Sequence, residues 1–320
     1  MTPRRNPRAT VRPARAGRPT RGRRRALGQH FLSDEGIARR IVELLRPGLS
    51  DLVVEIGPGE GALTGLLAAA GRLVALEVDP TLAARLRERF QGAAHVEILE
   101  ADAIRYDYAG LAGLRPDPAG RVLVVGNLPY SVGTAILAAV LTAGPAIARV
   151  ASMEMALMLQ REVAERVAAA PGSRTYGSLS VLSQMAAEVR VAFSVPPGAF
   201  RPPPQVDSAV IHLRVLATPP VAVADPDHFR AVVLAAFSQR RKNLANALGS
   251  GLGLPVERLR ERLTGIGIDP ARRAETLSLA DFARLAEMLR SARAASTATP
   301  SGSPSGSGQW ATPDTGTASP

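Results

Sequence analysis

The run Leu52-Val53-Val54-Glu55-Ile56 passes without a break into Gly57-Pro58-Gly59-Glu60-Gly61 and then into the apolar stretch Ala62–Ala70. A buried strand, a glycine loop and a helix form the opening unit of a nucleotide-binding α/β sheet. Glycines let a ligand approach the backbone, and a helix N-terminus offers free N–H groups. The spacing is G-x-G-x-G, not the dinucleotide pattern G-x-G-x-x-G. Taken alone, the loop also reads as a tight turn with no ligand.

The next two strands narrow that choice. Leu73–Asp79 reads as a second strand, and Glu77 lies twenty residues past Gly57. That is the position from which a carboxylate accepts the hydroxyls of a ribose. A helix over Leu82–Phe90 leads to a third strand, Val96–Glu100, with Asp102 at its carboxyl end. Asp102 is placed to accept from an adenine amino group of a cofactor. A nicotinamide cofactor and S-adenosylmethionine both fit this half. The fourth strand discriminates. Val124-Val125-Gly126 ends in Asn127-Leu128-Pro129-Tyr130, a carboxamide, a donorless Pro and an aromatic ring at a strand tip. Asn127 and a backbone carbonyl can accept the hydrogens of an exocyclic amine, and Tyr130 can stack on the base that carries it. That suits methyl transfer to an amino nitrogen and has no part in hydride transfer. The competing reading of these four residues is an ordinary Asn/Pro turn.

Composition excludes several other chemistries. The chain has no cysteine, so disulfides, thiolate nucleophiles and Cys-ligated metals are ruled out; this is in keeping with a cytoplasmic location. The four His show no metal-binding spacing, and no metal is expected. No apolar run is long enough for a membrane span. Ten Arg and no acid fall within residues 1–25, so nearly all of the net charge of +11 sits in that arm. The arm, interrupted by prolines, reads as disordered and attractive to a polyanion.

Beyond Tyr130 the pattern predicts a helix over Val132–Leu141, a fifth strand over Val150–Met155 and a helix over Met158–Ala169. An antiparallel pair is predicted from Val189–Phe193 and Ala209–Val215. The proline cluster between them holds Phe200, expected as the wall of a base pocket opposite Tyr130; a core position beneath the loop is its competing reading. The resulting organisation is an arm (1–25), a Rossmann-like α/β domain (26–217), a linker (218–226), a small all-helical domain (227–290) and a disordered tail (291–320). Arg240, Arg241 and Lys242 follow the first helix of the small domain and are candidates for phosphate contact.

The blocks Leu27-Gly28-Gln29-His30-Phe31-Leu32, Asn127-Leu128-Pro129-Tyr130, Tyr176-Gly177-Ser178-Leu179-Ser180, Phe200-Arg201-Pro202-Pro203-Pro204-Gln205-Val206-Asp207-Ser208 and Phe237-Ser238-Gln239-Arg240-Arg241-Lys242-Asn243 occur in this order. Together they resemble the ribosomal RNA adenine N6,N6-dimethyltransferases, over about residues 26–290. The resemblance implies a monomeric S-adenosylmethionine-dependent methyltransferase with a mostly parallel sheet and an antiparallel last strand. Its substrate would be 16S rRNA in the small ribosomal subunit or its precursor, dimethylated on two adjacent adenosines of a hairpin loop near the 3′ end. It also implies a cofactor site of His30, Leu32, Gly57, Glu77, Asp102 and Asn127. The catalytic set would be Asn127, Leu128, Pro129, Tyr130 and Phe200. Position 30 departs from the family pattern, which often has Asn there. The alternatives are a macrolide-resistance-type methylase of large-subunit rRNA and a non-catalytic RNA-binding assembly factor.

Overall fold

The computed structural model of the protein describes residues 30–297. The arm at 1–25, Leu27, Gly28 and Gln29 lie outside the described residues, as does the expected tail from 298 onward.

Seven strands form one sheet: β2 (Leu52–Ile56), β3 (Arg72–Glu77), β4 (Val96–Glu100), β5 (Val122–Asn127), β6 (Met153–Gln160), β7 (Ala187–Val195) and β9 (Ser208–Val215). Their order is β4-β3-β2-β5-β6-β9-β7. The first five run parallel; β9 is antiparallel to both β6 and β7. A second sheet pairs β1 (Phe31–Leu32) with β8 (Phe200–Arg201). The chain builds outward from β2 through β3 to β4, then crosses back to lay β5 on the other side of β2. The switch point therefore lies between the carboxyl ends of β2 and β5, where open α/β sheets bind ligands. Every residue of β2 is buried, as a strand covered on both faces requires.

The helices of the sheet domain are α1 (Glu35–Leu45), α2 (Thr64–Leu67), α3 (Pro80–Arg89), α4 (Gly133–Ala148), α5 (Arg161–Val167) and α6 (Ser178–Ala186). Asp34 and Asp79 cap α1 and α3 through their carboxylates. Three of the predicted elements differ. α2 is a single turn, not a helix over 62–70, and Gly65 in its middle weakens it. α4 continues through Pro145 to Ala148. The fifth strand begins at Met153 and absorbs Met158–Gln160, which composition assigns to a helix. Pairing with β5 on one side and β9 on the other overrides the helix propensity of Met, Ala and Leu.

Four further helices complete the chain: α7 (Pro226–Phe237), α8 (Leu244–Leu252), α9 (Val256–Gly265) and α10 (Leu279–Thr297), the last running beyond residue 290. Their core is shared with the sheet domain. Ala169, Tyr176 and Val181 pack in one cluster with Phe229, Phe282 and Leu285. Tyr176 meets Phe237 edge-on at 6.1 Å, and Phe237 stacks on Phe282 at 5.7 Å. Gly172 N–H donates to the Glu275 carbonyl at 2.7 Å, a further tie between the two parts. Among the described residues no helix is long and apolar enough to cross a membrane.

Candidate active site

The glycine loop leaves β2 in the left-handed region, with φ of 66° at Gly57 and 58° at Gly59. A Cβ on Gly59 would stand 2.9 Å from the Phe31 ring. Glycine is needed there both for its dihedral and for its contact. Gly57 lies against the end of β5, where a Cβ would stand 3.8 Å from the Asn127 carbonyl oxygen.

Glu77 ends β3 beneath this loop and is 2% exposed. Its Oε2 accepts from Gly59 N–H at 3.1 Å and its Oε1 from Asp79 N–H at 2.8 Å. Burial pushes this carboxyl up, against the pull of those backbone donors. Glu77 thus holds the loop in shape, and each oxygen keeps a lone pair for a further donor. Asp102, exposed, accepts from Ile104 N–H at 2.9 Å through Oδ1, which fixes its side chain at the end of β4.

Sequence reasoning passed over Glu55. It is wholly buried in the middle of the sheet, and burial, with Glu77 nearby, pushes its carboxyl up to about 8. Its Oε2 and the Thr64 hydroxyl beside it make no hydrogen bond of normal geometry. Glu55 is therefore mostly a neutral acid at pH 7 and adds little negative charge under the loop. Its position within an apolar run was visible, but the missing partner was not.

The Asn127 tip gathers residues from four parts of the chain. Asn127 Nδ2 donates to the His30 carbonyl at 2.9 Å. A carbonyl can only accept, so this bond assigns the amide orientation and leaves Oδ1 as the free acceptor. Pro129's carbonyl takes Val132 N–H and Gly133 N–H, closing the turn, whereas among the described residues no backbone donor of that turn reaches the Leu128 carbonyl. Tyr130 lies beside His30, ring centroids 5.6 Å apart and planes tilted by 37°. His30 Nδ1 is 2.7 Å from the Pro202 carbonyl, so Nδ1 carries the proton. Tyr130's hydroxyl lies 2.6 Å from Ser208 Oγ. Burial pushes this phenol up, so it remains a neutral O–H.

Two expectations change. Phe200 does not stand free opposite Tyr130: its ring is 2% exposed and packs with Leu32, Ala199 and Val210. Strand alternation on β8 turns Phe200 inward and Arg201 outward, and the ring beside Tyr130 is that of His30. Leu32 is likewise a core side chain, so only its backbone can face a ligand. Gly126 lies against Ile56 of β2. A Cβ there would be 2.7 Å from the Ile56 carbonyl, so its smallness serves the approach of β2 to β5.

Arg240, Arg241 and Lys242 occupy the turn between α7 and α8. Lys242 N–H donates to the Gln239 carbonyl, and Asn243 caps α8. All three side chains are exposed, line a shallow hollow with Gln239, and have no ion pair among the described residues. Among the described residues no group of three His, Asp or Glu is spaced to hold a metal ion.

Known proteins resemble this chain along most of its length. A family model described as ribosomal RNA adenine dimethylase matches residues 21–291. The chain is 45% identical over 271 residues to "Ribosomal RNA small subunit methyltransferase A" of Geobacter sulfurreducens, covering 84% of this chain and 96% of that one. It is 46% identical over 274 residues to the protein of the same name from Anaeromyxobacter dehalogenans, covering 83% and 93%. Among solved structures, a dimethyladenosine transferase from Plasmodium falciparum superposes with a TM-score of 0.65 at 24% identity, covering 80% of this chain and 96% of that one. The 23S rRNA methyltransferase ErmE superposes at 0.58 with 28% identity, covering 81% and 99%. With a family model spanning most of its length and relatives near half identity along almost their whole chains, this protein belongs to the ribosomal RNA adenine dimethylase family.

Proposed function

We propose that this chain transfers methyl groups from S-adenosylmethionine to the N6 atoms of two adjacent adenosines, in a hairpin loop near the 3′ end of 16S rRNA. The reading rests on the relatives' shared name and, in the structure, on one bond above all. With its Nδ2 committed to the His30 carbonyl, Asn127 keeps Oδ1 as an acceptor.

The residues at the switch point fit the methyl donor. The left-handed glycines open the backbone for its approach, Glu77 keeps lone pairs for ribose hydroxyls, and Asp102 can accept from the adenine amine. Bound there, S-adenosylmethionine supplies an electrophilic sulfonium methyl. Asn127 Oδ1 and the Leu128 carbonyl accept the two N6 hydrogens of the target base. An adenine N6 is a poor nucleophile because its lone pair is delocalised into the ring. Two acceptors below the amine favour a pyramidal nitrogen whose lone pair points at the methyl. Tyr130 stacks on the extruded base, returning about 1–3 kcal/mol of the cost of unstacking it. Catalysis is then positioning and alignment. After the first transfer one N–H remains, enough for one of the two acceptors. The proton released passes to solvent. Phe200 acts from within the core, as a rigid floor.

Arg240, Arg241 and Lys242 contact rRNA phosphates away from the base. A monomer acting in the cytoplasm on the small subunit or its precursor is the setting this chemistry suits. The test is labelled methyl transfer to small subunits lacking the modification. The wild-type chain should label them and Asn127→Ala should not; equal labelling by both would remove the proposed role of Asn127.

A further inference from the structure

Among the described residues, Ser208 is the one whose side chain hydrogen-bonds the hydroxyl of Tyr130. It opens β9 and is fully buried. Its backbone position is fixed on two sides, paired with Gln160 of β6 and Val195 of β7. Its Oγ lies 2.6 Å from the Tyr130 hydroxyl, across 78 residues of chain. At the other end of the ring, the Tyr130 backbone is held in the turn that Pro129 closes. The tilted His30 ring flanks it, itself held by the Pro202 carbonyl. The ring is thus pinned at both ends before any base arrives.

We propose that Ser208 is a positioning residue for methyl transfer: its hydroxyl sets the plane of Tyr130 on which the target adenine stacks. This rests on the reading of the site given above. A tyrosine has two side-chain torsions, and a turn holding its backbone does not restrict them. Without a bond at the hydroxyl the ring can swing, and the stacked base swings with it. Misplacement of that kind lowers turnover more than binding, because it acts on alignment at the reacting atoms. It also explains why position 130 carries a hydroxyl that stacking alone does not require.

The experiment combines kinetics with a probe that does not depend on turnover. Ser208→Ala and Tyr130→Phe remove the same bond from opposite ends, the second without touching β9. Each should lower kcat about tenfold, in line with the loss of one hydrogen bond, with KM for S-adenosylmethionine unchanged. The double variant should be no slower than either single one. The chain has four tyrosines, so 3-fluorotyrosine labelling gives a short ¹⁹F spectrum in which Tyr130→Phe identifies the Tyr130 line. That line should move and change width in Ser208→Ala. An unmoved line, kcat within twofold of wild type, or effects that multiply in the double variant would each overturn the proposal. Should the wild-type chain fail to methylate small subunits, the function assigned above falls, and the fluorine spectrum still decides whether Ser208 holds the ring.

Discussion

The side-chain amide of Asn127 donates to the backbone carbonyl of His30 across 2.9 Å, joining the end of β5 to the segment just before β1. On the proposed function, that bond is what separates a turn from an active site. Replacing Asn127 with Ala removes the acceptor. Replacing it with Asp keeps oxygens but sets a carboxylate against a carbonyl and loses the orienting donor. Both variants should lose about 10²–10³ in the rate of methyl transfer, on the scale of a lost transition-state hydrogen bond. Single-turnover kinetics with bound RNA would measure it, and an Asp variant near wild type would show that the orientation is immaterial.

Glu55 should make stability depend on pH. Its carboxyl titrates at about 8 in the folded chain against 4.5 as the reference value. Between those values the folded state holds a proton that the unfolded state has released. The contribution of Glu55 is therefore full below pH 4.5 and is lost as pH rises toward 8, by about 1.4 kcal/mol per unit at most. Glu55→Gln imitates the neutral acid. The difference in melting temperature between variant and wild type should grow in favour of the variant from about pH 5 to about pH 8. A constant difference across that range would contradict the buried-acid account.

Tyr176 is fully buried, and its hydroxyl has no protein partner among the described residues. Tyr176→Phe should therefore be neutral or stabilising, by up to about 1–2 kcal/mol, since it removes an unmet polar group while keeping the ring against Phe237. Tyr176→Ala should destabilise by about 3–5 kcal/mol. Urea unfolding of the two variants distinguishes the ring from its hydroxyl.

The basic turn should show itself in salt dependence. Changing Arg240, Arg241 or Lys242 singly to Ala should weaken RNA binding. Each phosphate left without its cation should lower the slope of log K against log salt by about 0.7–0.9. Affinity titrations across a range of salt concentrations would measure this. A weaker affinity with an unchanged slope would mean that these side chains do not meet phosphates.

Much of this fold was legible because its signals are local. The glycine loop, the acids after β3 and β4 and the Asn127 tip each combine a strand end with residue types whose chemistry is specific. The misses share the opposite property. Met153–Gln160 is a strand because two neighbours pair with it, and its composition favours a helix. Phe200 points inward because β8 pairs with β1, far away along the chain. Ser208 reaches Tyr130 only because β9 runs antiparallel to β6. The shared core of Tyr176, Phe237 and Phe282 crosses a linker that reads as a domain boundary. Pairings of long sequence separation leave no periodic trace in either partner, so burial and contact at these positions had to come from the structure.

The central claim, that the Asn127 tip presents an adenine amine to a methyl donor, is tested most directly by nucleoside mass spectrometry. Small subunits lacking the modification would be incubated with the full chain and S-adenosylmethionine, and their rRNA digested to nucleosides. The account predicts N6-methyladenosine early and N6,N6-dimethyladenosine at the end, from the small-subunit rRNA and absent with Asn127→Ala. Methylation at a ring nitrogen or a carbon, or label confined to large-subunit rRNA, would contradict it.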